Sequence, residues 1–305
     1  MNRNKIIAGH VLAFITILIW GTTFISTKVL LTAVSPTEIL VIRFVIGFLV
    51  LLLAYPRRLN VKEKRQEIYF AAAGLCGITL YYLLENIALT YTLASNVGVI
   101  ITIAPFFTAI FAHRFLDGEK LQGRFFAGFA VAVAGVGLIS FSGSSIELNP
   151  VGDILAVLAS VVWAAYSVLT RKISGFQYNT IQTTRRIFLY GLVFMLPAAG
   201  IFGFNPRLDL LVQPVYLVNI LFLGIGASAL CFATWNSAVK LLGAVNTSVY
   251  IYLVPVITVI TSVIVLRERI TAMAVWGVAL TLTGLLISES NFLRQVKRSL
   301  QFKSD

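Results

Sequence analysis

Residues 20–43 read WGTTFISTKVLLTAVSPTEILVIR, and residues 163–186 read WAAYSVLTRKISGFQYNTIQTTRR. In both, a tryptophan is followed eight residues later by a base and fifteen after that by an arginine: Trp20, Lys28 and Arg43, then Trp163, Arg171 and Arg186. The offset is a constant 143 and it extends outward, since Gly9–Leu53 against Gly152–Leu196 gives ten identities in 45 ungapped positions. A second block, Phe70–Leu116 against Ile220–Leu266, repeats at offset 150 with twelve identities in 47, including Gly74/Gly224, Asn86/Asn236, Asn96/Asn246 and Pro105/Pro255. Phe204–Pro214 lengthens the connection between the blocks and absorbs the difference of seven. The chain is one unit of roughly 145 residues written twice, and such repetition constrains architecture before any single residue does.

The composition is 58% hydrophobic and 12% charged, with a mean hydropathy of +0.91. Soluble domains carry about 25% charged residues, so this much apolar surface calls for a bilayer. The net charge of +12 does not point to nucleic acid, because the bases sit in short loops as membrane topology requires. Cys76 and Cys231 lie in apolar runs and read as buried free thiols. The start has Arg3 and Lys5 before an apolar stretch but no good small-residue cleavage site, and reads as an uncleaved first span.

Ten segments are long and apolar enough to cross a membrane: about 7–31, 36–55, 67–89, 95–114, 121–140, 151–173, 179–202, 215–238, 245–266 and 270–290. Breakers such as Ser35-Pro36, Tyr55-Pro56, Asp117-Gly118 and Asn149-Pro150 separate them. Closely spaced spans of this length are helices rather than barrel strands, so the expected fold is an all-α polytopic membrane protein. With the N-terminus in the cytoplasm, 17 of the 24 Lys and Arg fall in inner segments, 3 in outer ones and 4 within or at the ends of spans. That asymmetry places both termini inside. Five spans per repeat is an odd number, so the second repeat enters the membrane inverted. Inverted repeats are the signature of alternating-access carriers, which bind substrate near the midplane where the repeats meet. The expected division is a first five-helix repeat over 1–145, a second over 146–292 and a basic cytoplasmic tail over 293–305.

Polar residues within spans face a bundle interior or a watery cavity. Thr16, Trp20, Thr23, Thr27 and Lys28 form one stripe of the first span, and Ser160, Trp163, Tyr166, Ser167, Thr170 and Arg171 repeat it in the sixth. One reading is helix packing through hydroxyls, with Lys28 and Arg171 snorkelling to opposite interfaces. The other is that Trp20 and Trp163, with Thr23, Tyr166 and Ser167, bracket a cavity on either side of the midplane, about 5 Å from it each. Tyr81, Asn96, Asn246 and Tyr250 then close it from neighbouring spans, and Asn86, Trp235 and Asn236 join the substrate-binding set.

Arg43 and Arg186 each lie about eight residues into a span, where a lone charge costs about 2.5–3.5 kcal/mol. Glu38 and Glu85 are the acids that could serve Arg43, whereas the matching positions in the second copy are Ile181 and Trp235. Arg185 and Arg186 therefore lack an obvious acidic partner; they either bind backbone carbonyls at helix ends or leave positive potential for an anionic group. Lys28, Arg43, Glu85, Arg171 and Arg186 form the expected charge and gating set. Glu85 either pairs with Lys28 or Arg43 or takes up a proton during transport. Pro105 and Pro255 are expected to kink their spans and free carbonyls. Gly128/Gly135 and Gly277/Gly284 mark spans 5 and 10 as closely packed scaffold or dimer contact. His10 and His113 are far apart, no Walker motif occurs, and no metal-ligand spacing appears. No enzyme, cofactor or metal is expected.

Trp20-Gly21 followed by Lys28, Arg43, the run ENIALTYTLAS at Glu85–Ser95, Pro105 and Glu119 resemble an EamA domain. The second copy keeps Trp163, Arg171, Arg186, Asn236, Ala238, Pro255 and Glu268, with Ala164 in place of the glycine after the tryptophan. The whole chain is similar to the ten-span members of the drug/metabolite transporter superfamily. The resemblance implies a secondary transporter with a central cavity between repeats and amino acids or related metabolites as exported cargo; the expected location is the inner (plasma) membrane and the expected state monomer or homodimer. A carrier of phosphorylated or nucleotide-linked sugars is the alternative. A channel or receptor is the remote one, since nothing resembles a carbonyl filter or charged ring.

Overall fold

A computed structural model of the chain describes residues 3–91, 94–117, 123–141, 149–205, 209, 212–257, 260 and 271–288. These are helical throughout, with no strand among the described residues. Ten units follow in chain order. They are α1 (Arg3–Leu31), α2 (Pro36–Ala54), α3 (Lys64–Tyr91), α4 in two pieces (Ala94–Ile101 and Ala104–Phe115), α5 (Gly123–Phe141), α6 (Pro150–Ser174), α7 (Thr180–Phe202), α8 (Pro214–Leu242), α9 (Ala244–Ile257) and α10 (Ala272–Ser288). Among the described residues seven helices are long and apolar enough to cross a membrane, and Gly123–Leu138, Ala244–Ile257 and Val275–Ser288 are shorter apolar helices. The protein is a multi-pass membrane protein. Large apolar side chains such as Leu53 and Ile201, 81% and 79% exposed, suit an acyl-chain environment.

Two of the expected breakers, Ser35-Pro36 and Asn149-Pro150, supply side-chain caps. At the start of α2, Ser35 Oγ accepts from Glu38 N–H (3.3 Å) and Ser35 N–H donates to Glu38 Oε2 (2.7 Å), closing a capping box with Pro36 in the first turn. Asn149 caps α6 by accepting from Val151 and Gly152 N–H, and Asn179 caps α7 through Ile181 and Gln182 N–H.

Two expected spans are interrupted rather than merely kinked. α4 stops at Ile101, turns through Thr102-Ile103 and restarts at Ala104, with Pro105 in the first turn of the new piece. Proline has no N–H to lose there, and the Ile100 carbonyl accepts from Ile103 N–H (3.1 Å) within the turn and from Ser160 Oγ (3.4 Å). In α9, Val249–Tyr252 is a 3₁₀ turn and Pro255 follows it. α3 and α8 contain wide π-helical turns at Leu75–Leu80 and Phe222–Leu230, places that overlap at the 150-residue offset.

The helices pack in pairs. α1 runs against α8 and α6 against α3; α2 meets α7 and α8, while α7 meets α2 and α3; α4 touches α5, α6 and α9, while α9 touches α10, α1 and α4. α5 and α10 pack along one another through their glycine faces, where a Cβ on Gly135 would stand 2.5 Å from Thr281 N and 2.6 Å from Gly277 O. The small residues read as scaffold thus join two helices of the same chain.

Candidate functional site

At the centre of the bundle three tryptophans meet. Trp20 of α1 packs edge-on against Trp163 of α6 (ring centroids 5.2 Å, 80°) and tilted against Trp235 of α8 (5.1 Å). Trp163 continues to Tyr81 (4.8 Å) and Tyr166 (5.0 Å), and Tyr81 to Tyr82 (4.8 Å). Edge-to-face and tilted pairs at these separations are the favoured aromatic geometries. Trp20 Nε1 donates to the Ala227 carbonyl (2.9 Å) within the π turn of α8. Trp163 Nε1 is buried with no hydrogen-bond partner among the described residues.

A cavity of about 40 Å³ opens on this cluster, room for roughly three waters. α1 contributes Ile17, Trp20, Thr23 and Phe24, and α3 contributes Tyr81, Tyr82 and Glu85. Ile101 enters from α4, Trp163 from α6, and Ile251 and Val254 from α9. Glu85 is 7% exposed and makes no hydrogen bond or ion pair among the described residues.

The two outer sides of the cluster differ in openness. A cleft of about 510 Å³ is lined by Lys28, Leu31, Ser35, Leu89 and Thr90 with their neighbours. Leu31 and Ser35 match Ser174 and Tyr178 at offset 143, and Thr90 matches Lys240 at offset 150. These matching residues line the opposite pocket, which measures only about 20 Å³. That narrow side is tied by polar contacts. Arg186 makes a two-point ion pair with Glu67 (2.5 and 3.1 Å), and Tyr190 Oη donates to the same carboxylate (2.7 Å). Arg185 donates to the carbonyls of Tyr55 and Arg57 (2.6 Å each), and Gln182 to those of Arg57 and Arg58. Tyr178 Oη accepts from Lys62 N–H and donates to Gln66, while Lys240 reaches the Tyr178 carbonyl.

The sequence model of the EamA-like transporter family matches residues 7–141 and again 150–289. The chain belongs to this family. Curated relatives include an uncharacterized transporter of Archaeoglobus fulgidus, 29% identical over 92% of this chain and 96% of the relative. A probable terminal-alkyne amino-acid exporter of Streptantibioticus cattleyicolor is 26% identical over 94% of both chains. A probable amino-acid metabolite efflux pump of Escherichia coli is 22% identical over 91% of this chain and 93% of the relative. One solved crystal structure shares the fold, with TM-score 0.75, 23% identity and coverage of 92% of this chain and 97% of the other. This EamA-like chain is a membrane transporter, and the names of family and relatives denote transporters rather than enzymes.

Four of the expected substrate-binding residues, Trp20, Thr23, Tyr81 and Trp163, line the cavity. The two tryptophans touch instead of standing apart across it, their ring centroids 5.2 Å from one another. Several others serve packing. Trp235 is fully enclosed beside Trp20, Tyr166 Oη donates to Asn236 Oδ1 (2.8 Å), Asn236 Nδ2 donates to Thr184 (3.0 Å), and Asn86 Nδ2 donates to the Pro36 carbonyl (3.3 Å). Ser167 Oγ donates back to the Trp163 carbonyl.

Asn246 is exposed and bonds its own helix, and Tyr250 Oη pairs with His10 Nδ1 (2.7 Å), so neither closes the cavity. The side chain of Asn96, and Glu119 and Glu268, lie outside the described residues. Cys76 is half-buried rather than enclosed, and Cys231 is buried; both are free.

The charged set also differs from expectation. Arg186 does have an acidic partner, Glu67 in the first turn of α3, which sequence separation hides. Arg43 is 1% exposed and pairs with neither Glu38, occupied at its cap, nor Glu85. Its Nε donates to Ser228 Oγ (3.1 Å), its guanidinium carbon sits 4.4 Å from the Tyr82 ring centroid, and Nη2 is buried with no hydrogen-bond partner among the described residues. Arg171 donates to the Lys240 carbonyl (3.2 Å) at the end of α8, a favourable place for a cation. Lys28 is exposed in the wide cleft. Ile17, Phe24, Ile101, Ile251 and Val254 went unread as lining, since an apolar residue facing a cavity carries the same sequence signal as one facing a core.

Proposed function

We propose that the chain is a secondary carrier that moves its cargo by alternating access between two inverted five-helix repeats, 1–145 and 146–292, with both termini and the basic 293–305 tail cytoplasmic. The observation that carries this reading is the aromatic cavity itself. It is walled by Trp20 and Trp163, the same position of two sequence copies, and is flanked by matched pockets of about 510 and 20 Å³. One matched side is open and the other is latched, as a carrier caught facing one way requires. Exchanging α1–α5 for α6–α10 also maps the main helix pairs onto one another, α1 with α8 onto α6 with α3 and α2 with α8 onto α7 with α3. The Lys/Arg asymmetry makes the wide cleft the outer one and the Glu67–Arg186 side the cytoplasmic one.

The cargo is an amino acid or related small metabolite moving outward, in line with the relatives' names. The apolar and aromatic wall suits an amphipathic body, with few polar groups to orient it. A phosphorylated or nucleotide-linked sugar calls for several converging bases, and the described lining contains none. Glu85 makes no hydrogen bond or direct ion pair among the described residues, which supports the proton-carrying role over the paired one. Inverted membrane vesicles supplied with labelled amino acids in the medium, with and without an imposed proton gradient, test this reading. Uptake above that of vesicles lacking the protein is expected. Glu85→Gln is expected to lose the gradient dependence, and a variant that keeps it in full would remove proton carriage from the scheme.

A further inference from the structure

The described cavity lining holds one charged side chain, the Glu85 carboxylate, set among the rings of Trp20, Trp163, Tyr81 and Tyr82. A carboxylate that is more than nine-tenths buried and, among the described residues, makes no hydrogen bond or direct ion pair is a costly arrangement unless something else supplies the missing donors, since Arg43 acts on it only from beyond contact distance. The bases nearby do not supply them. Arg43 lies against the Tyr82 ring outside the lining, held by Ser228, and Lys28 belongs to the outer cleft. Arg186 is engaged by Glu67, and Arg185 and Arg171 by backbone carbonyls. An ammonium group fits what remains, because it brings up to three donors to an acceptor-only carboxylate and is attracted to the faces of tryptophan and tyrosine rings.

We propose that Glu85 and the rings of Trp20, Trp163 and Tyr81 form a receptor for a protonated amine, so that the amino group of the cargo is the recognised head and its carboxylate is dispensable. This rests on the central cavity being the transport site. It enlarges the substrate class from amino acids to arylalkyl and alkyl amines. Arg43, close behind Tyr82 but not in contact with Glu85, offsets the buried carboxylate when the site is empty and presents no base to an anion. A carboxylate-only ligand would meet Glu85 with like charge and is rejected.

Equilibrium binding to the purified full chain, with three matched probes, tests the proposal: phenethylamine, L-phenylalanine and hydrocinnamate, which share an aryl body and differ in head group. Phenethylamine and L-phenylalanine are expected to bind, and hydrocinnamate not to compete. Glu85→Gln is expected to weaken phenethylamine by about tenfold or more, the usual effect of losing a charge-assisted hydrogen bond. Glu85→Asp, which keeps the charge with a shorter reach, should fall between, and serves if the glutamine variant fails to fold. Hydrocinnamate binding as tightly as phenethylamine overturns the proposal, as does wild-type amine affinity in Glu85→Gln, or the absence of binding by all three probes. The carrier reading fails separately. Vesicle transport of a solute without an amine leaves a carrier but removes the amine receptor, whereas amine binding at Glu85 without transport does the reverse.

Discussion

Breaking the Glu67–Arg186 pair should open the cytoplasmic side. The Glu67 carboxylate accepts two hydrogen bonds from Arg186 and one from Tyr190, joining the first turn of α3 to α7. The two side chains are 26% and 33% exposed, so solvent screens them. Exposed pairs contribute about 0.2–1 kcal/mol, and the two-point geometry with the tyrosine raises this group to about 1–2 kcal/mol. If that energy is present only in the closed arrangement, its loss in Glu67→Gln shifts the ratio of closed to open by about 5- to 30-fold. Thr183 lines the narrow pocket and is buried. A cysteine at position 183, in a chain with Cys76 and Cys231 replaced by alanine, reports the opening. Its modification from the cytoplasmic face should accelerate by that factor in Glu67→Gln. Arg186→Gln should match it, and the double variant should add little, since both remove one interaction. Labelling at the parent rate in both single variants would refute the assignment of this cluster as a latch.

Other outcomes are equally concrete. Trp20→Phe and Trp163→Phe should keep the melting temperature near that of the parent while raising the substrate concentration for half-maximal transport; unchanged transport in both would make the rings packing only. Single cysteines within Val61–Gln66 should be blocked only by permeant reagents and those within Gly143–Leu148 by impermeant ones, and the reverse pattern would invert the topology. Gly135→Leu forces apart α5 and α10, where even a Cβ would stand 2.5 Å from Thr281 N. Overpacking of this kind costs about 1–3 kcal/mol, read as a lower melting temperature in detergent, and an unchanged value would mean the pair tolerates separation.

Much of the scaffold was legible because it is local or periodic. The 143-residue offset located two copies, the Ser35-Pro36 breaker separated the first two spans, and glycines seven apart marked α5 and α10 as closely packed, whereas Glu38, read as an acid for Arg43, closes the cap of α2 instead. The site was less so. Asn86 and Asn236 carry the polar groups a binding residue would, yet both are spent tying helices together, and only the identity of the facing element decides which. Arg186 seemed stranded because its partner, Glu67, is 119 residues away in the chain. Ile101 and Ile251 line the cavity because α4 and α9 break nearby, and no hydropathy pattern distinguishes that from burial.

The π turn of α3 also sets an angular phase. Each residue an α-helix takes in excess of its regular repeat rotates everything beyond it by about 100°. Glu67 and Phe70 precede the turn at Leu75–Leu80, whereas Tyr81, Tyr82 and Glu85 follow it. One helix can thus aim its first turn at α7 and its C-terminal half at the cavity, two directions a regular helix of this sequence would not serve together. A wide turn can migrate by passing its surplus residue to the next hydrogen bond, which rotates the intervening side chains without breaking the rod. The latch residue and the cavity acid therefore sit on either side of a built-in swivel, through which torsion at one can reach the other.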